Sequence, residues 1–241
     1  MADLTAPTSA PASSTGEAWS FPRRFIAVFT SPKALFEHLD ARPSWFVPFL
    51  VSLAFVVLFL VVLWHPVIFP QILEKLDEKG APDSAVEMMT KNGLTFQLIG
   101  VLIVASGLAF FSALVAWLVG GFILGGSLTY RKALAITTHA SLVTIPALLV
   151  IIPLALIART AEVSVGPGML YLAKDAEGFG GKFVANLLTF LDVFRLWQNA
   201  LVVVGVSVIA RLPRGKAAVG MWTAYILLAL LGALLSGVLQ R

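Results

Sequence analysis

Asp192 and Arg195 are ionisable residues inside a long apolar run, 183–210, and are followed by Trp197, Gln198 and Asn199. Three apart on a helix, they share one face and can pair. An ionisable group at membrane depth is costly and faces a bundle interior or a water-filled cavity. Two chemistries fit: a polar site that binds a headgroup or passes a solute, or a structural ion pair with Trp197 in an aromatic belt. A second cluster is Thr137, Thr138, His139, Ser141 and Thr144. His139 could titrate near neutral pH. Equally, it could bond another helix while the hydroxyls bond their own backbone. A metal site would need two or three further ligands, and the other histidines are His38 and His65. No metal and no cofactor is expected. Cysteine is absent, which excludes thiol chemistry and disulfides. No G-x-S-x-G, H-E-x-x-H or paired acid within an apolar run is present, so no catalytic residue is expected.

The elements that must position these residues follow from composition. The chain has 241 residues, 59% hydrophobic and 12% charged, with a mean hydropathy of +0.91. Soluble domains average about a quarter charged residues. An ordinary cytosolic enzyme, a disordered chain and a coiled coil are excluded, and an integral membrane protein remains. A net charge of +4 without basic–aromatic runs, helix-turn-helix or zinc spacing implies no nucleic-acid partner.

A helix crosses a bilayer in about 20 apolar residues. Five stretches qualify: 45–64, 94–120, 133–157, 186–210 and 217–239. Their continuous apolar character favours helices over barrel strands, so an all-α polytopic bundle is expected over 45–240. Residues 1–18 contain no Lys or Arg and read as a disordered tail, not a signal sequence. Residues 19–44 read as an amphipathic membrane-surface segment, with Arg23, Arg24, Phe25, Phe29 and Phe36 at the interface, or as a cap under the bundle. Ser31-Pro32 is a helix start within it. Between the first two spans, 65–93 reads as a surface helical hairpin, broken at Gly80-Ala81-Pro82, capped at Ser84–Glu87 and ended by Asn92-Gly93. Pro146 and Pro153 kink the third span. Gly121 and Gly125 in the second span, Gly205 in the fourth, and Gly232 with Ser236 in the fifth suit close helix packing or a homo-oligomer.

Basic residues are dense beside short acid-free loops at Arg131, Lys132, Arg211, Arg214 and Lys216, and before the first span. This places the N-terminus in the cytoplasm and the C-terminus outside, in a bacterial inner membrane.

Phe29-Thr30-Ser31-Pro32-Lys33-Ala34-Leu35-Phe36, with Pro43 and Pro48 after it, resembles the opening signature of bacterial members of the Yip family. Tyr130-Arg131-Lys132-Ala133-Leu134-Ala135 with His139 and Pro146 is similar to that family's basic "Arg-Lys-Ala-Leu" start and mid-span Pro. Asp192-Val193-Phe194-Arg195-Leu196-Trp197, then Gly205, looks like its "Asp-x-Phe-x-x-Trp…Gly" segment. The resemblance covers residues 25–239. It implies a five-helix membrane domain and, in eukaryotic relatives, interaction with prenylated Rab-type GTPases, a role that does not carry over to a bacterial chain. The expected function is a non-enzymatic scaffold or adaptor organising membrane lipids or protein partners. The alternative is a transporter, or an accessory subunit of one, using spans three and four.

Overall fold

The computed structural model describes residues 18–161, 163–168 and 178–239. The tail expected over 1–18 lies outside them, apart from Ala18. Among the described residues the chain is helical with no strand. Four helices are long and apolar enough to cross a membrane, and a fifth span is available if a bent helix pair counts as one.

The N-terminal segment forms two helices, α1 (Phe21–Thr30) and α2 (Pro32–Ala41). Pro22 and Pro32 fit the first turns because those positions need no amide donor. The Ser31 hydroxyl makes no cap bond. Trp19 stacks on His38 at 4.9 Å, so the start of α1 lies beside the end of α2 and the two form a hairpin. One face of this hairpin packs under the bundle. Leu35, Phe36 and Leu39 are buried, together with Ala27 and Val28, against the spans. Phe36, expected at the membrane surface, lies in the core beside Gly205, because a flat aromatic ring fits where a helix presents no Cβ. Ile26 remains exposed.

The first span, α3 (Phe46–Leu63), does not stop at the predicted edge. A π-helical turn at Trp64–Ile68 absorbs Pro66, which has no amide to offer, and α4 (Phe69–Glu78) continues the rod. Gly80, at φ +60, ends it. The expected second helix of a surface hairpin is instead the start of α5 (Asp83–Trp117), which runs unbroken through Asn92-Gly93. Gly93 does not terminate the helix. A Cβ there would meet Met89 Sδ at 2.6 Å and the Trp64 ring at 3.1 Å, so the glycine admits a close contact. Glu87, read as half of a capping box, pairs with Lys91 at 2.5 Å.

A second π-helical turn, Leu118–Ile123, ends this span. The third span is α6 (Tyr130–Ala140), a 3-10 turn at Ser141–Val143 just ahead of Pro146, and α7 (Thr144–Ala158). The fourth is bent by 57° between α8 (Gly178–Thr189) and α9 (Val193–Ile209), where a single helix was expected. The fifth is α10 (Arg214–Leu239).

The packed core lies where α1, α2, α6, α9 and the start of α10 meet. Small residues make it possible. A Cβ on Gly205 would meet Ile136 Cγ2 at 2.5 Å, and one on Gly120 would meet Val206 Cγ1 at 2.8 Å. Gly125, expected to pack, instead takes φ +68, and a Cβ there would meet nothing within 4 Å, which is the mark of a chain reversal after a helix. Gly121 lies 3.0 Å (as Cβ) from the Leu128 carbonyl, and Gly232 faces the Phe190 ring at 3.2 Å.

Candidate functional site

On the other face of α9 the bundle is open. A cavity of about 1200 Å³ lies between α5, α7, α8, α9 and α10. The α5 wall is one helix face, with Gln97, Val101, Val104, Leu108, Ser112 and Val115 at spacings of three and four. Helix α5 packs on α3 and α6 and does not pack along α9 or α10, so the wall stands apart. Leu108 lines the cavity yet is 61% exposed. It sits mid-span, so the opening faces the side of the bundle at membrane depth.

The polar end of the cavity is built at the break in the fourth span. Asp192 has extended φ/ψ and is the N-cap of α9. One carboxylate oxygen accepts from the Phe194 and Arg195 amides at 2.9 and 3.3 Å. The other accepts from the Val165 amide at 2.7 Å and the Ser164 hydroxyl at 3.4 Å. Charge-assisted bonds to orphan amides at a helix start stabilise a buried carboxylate. They also explain the bend: the helix restarts where a side chain replaces the missing backbone acceptor. Asp192 and Arg195 therefore do not pair, because the carboxylate is spent on backbone. The Arg195 guanidinium lies 5.3 Å from the centre of the Phe190 ring and lines the cavity. Gln198 and Asn199 line it one turn on, and the Asn199 side-chain amide nitrogen is buried and meets no partner among the described residues. Tyr225 donates its hydroxyl to the Phe190 carbonyl, holding the bend against α10.

The structure thus brings Asp192, Arg195 and Asn199 together and leaves His139 and Thr138 out. Thr138 donates to the Leu134 carbonyl at 2.7 Å, and His139 Nδ1 lies 2.9 Å from the Ala135 carbonyl. Both are buried on the side of α6 turned from the cavity, and His139 lies within electrostatic reach of Arg24 and His38. Thr137 and Thr144 line the cavity in their place. Gln97, Asn186 and Thr189 also line it. Gln97 was the findable one, since a lone amide in an otherwise apolar span is itself a signal. No group of three His, Cys, Asp or Glu gathers among the described residues.

A bundle of long apolar helices with a polar-ended lateral cavity defines a polytopic integral membrane protein. Residues 26–236 match the Yip1 domain, and the chain belongs to that family. It is similar to the membrane protein YknW of Bacillus subtilis (strain 168), with 26% identity over 191 residues, covering 79% of this chain and 80% of that one. No solved structure matches it.

Proposed function

We propose that the protein is a non-enzymatic scaffold of a bacterial inner membrane that organises lipid by holding an amphiphile in the lateral cavity. The cavity carries this reading: an apolar chamber open at membrane depth, with a guanidinium and an unpartnered amide at one end. That arrangement matches a headgroup with acceptor oxygens and an attached chain. The dense basic residues beside the two short inter-span loops support a cytoplasmic N-terminus.

The test is lipid analysis of protein purified from native membranes. Arg195→Ala should lose about tenfold of the retained amphiphile, the size of one charge-assisted hydrogen bond. The same protein in vesicles should move no solute. Reproducible uptake, abolished by Arg195→Ala, would overturn the scaffold in favour of a carrier.

A further inference from the structure

A second polar site lies at the opposite end of the bundle, where the hairpin opens and residues 42–44 lead into α3. It does not depend on the cavity. Arg23 and Arg24 come from α1, His38 from α2, and Arg42 follows α2. The Trp19 ring gathers two of them: Arg23 lies over it at 4.3 Å from its centre, and His38 stacks on it. Arg24 donates through one terminal nitrogen to the Ser44 hydroxyl. Its Nε is buried and meets no acceptor among the described residues.

The acids of α2 do not neutralise this group. Glu37 pairs with Lys33 at 3.5 Å, and Asp40 pairs with Lys132. Among the described residues no carboxylate pairs with Arg23, Arg24 or Arg42. The electrostatics register the imbalance. Burial, then the guanidinia of Arg24, Arg42 and Arg23, hold His38 below its ordinary range, and burial lowers Arg24 as well. The Arg23 and Arg24 guanidinia, with Arg42 within electrostatic reach of the same imidazole, meet no counter-ion among the described residues.

Depth says what supplies one. Trp45 opens α3 beside Ser44 and packs with Phe46, Phe49 and Phe110. With Trp19 it places two indoles at this level, and Trp marks the headgroup layer of a bilayer. The Asp40–Lys132 pair ties the site to the basic end of the third span. The anions at that depth are lipid phosphates, which guanidinium forks match in shape and charge.

We propose that Arg23, Arg24 and Arg42, backed by His38, bind the phosphodiester of an anionic phospholipid at this rim. The experiment is native mass spectrometry of the full chain released from nanodiscs containing phosphatidylglycerol and phosphatidylcholine. The expected result is preferential retention of phosphatidylglycerol, reduced about a hundredfold in Arg23→Gln/Arg42→Gln, about tenfold for each of the two lost charge-assisted bonds. These two side chains are exposed, so the variant folds, and its melting temperature checks this. Arg211→Gln/Arg214→Gln, on the same end of the bundle, should retain the lipid. Nuclear magnetic resonance titration should show the His38 pKa higher in phosphatidylglycerol than in phosphatidylcholine, because a phosphate offsets the guanidinia. Equal loss in both arginine pairs would reduce the site to diffuse surface charge and overturn it. Displacement of the lipid by inorganic phosphate would make the ligand a free anion and overturn the lipid assignment.

Discussion

Helix α9 has two faces that solve different problems. On its packed side it presents Gly205 to Phe36 of the hairpin and Ile136 of α6, and Val206 to Gly120. Toward α5 it presents Arg195, Gln198 and Asn199 to open space. Lipid tails are as apolar as leucine, so burial alone does not drive spans together, and close backbone approach and matched polar groups do. The hairpin side has the small residues for that approach. The cavity side has a glycine too, but it meets no partner: a Cβ on Gly100 would meet nothing within 4 Å. Rigidity and vacancy are thus distributed by where glycine meets a partner.

The contrast can be broken most forcefully on the packed side. Phe36→Ala should cost about 3 kcal/mol, as for other buried aromatic truncations. Gly205→Val should follow at about 2 kcal/mol, an overpacking penalty, because the contact at 2.5 Å is to a buried, β-branched Ile136. Both are read from unfolding in denaturing detergent. Asp192→Asn should cost about 1–2 kcal/mol by weakening the bonds to the α9 amides and the Val165 loop. Its second readout is faster proteolysis near 163–165. Across the cavity the sign changes: Gly100→Ala should leave stability within about 0.5 kcal/mol or raise it. A loss matching Gly205→Val would show that the two faces pack alike. The smallest expected effect is that of pH. His38 binds its proton less readily folded than unfolded. Below about pH 6.5, the ordinary histidine value, the unfolded chain takes up a proton the folded chain resists, so stability falls with acidification. His38→Gln should flatten that slope in melting curves measured in phosphatidylcholine.

The spans were legible because about 20 apolar residues in a row have few alternatives in water or lipid. Their interruptions were not. Asp192 reads as an intruder in a helix; it caps the next one through the Phe194 and Arg195 amides, and Val165 and Ser164, far off in sequence, hold its other oxygen. The amphipathic pattern of 19–44 is the same whether its apolar face meets lipid or other helices, so the burial of Phe36 was invisible. Gly93 and Gly125 exchanged their expected roles, since a glycine's type does not say whether φ or a neighbour demands it. Of the polar site, Asp192, Arg195 and Asn199 stood out as rare residues in an apolar run. His139 stood out equally, but which side of α6 it faces depends on tertiary packing.

The hairpin has a consequence for synthesis. It leaves the ribosome before α3, yet Phe29 rests edge-on against Trp197 and Phe36 against Gly205 of the fourth span. Its binding surface does not exist until most of the chain has been translated and inserted. Until then its apolar face must wait at the membrane or on a chaperone. The hairpin, made before α3, is therefore among the last elements to dock, and its arrival completes the packed face of α9.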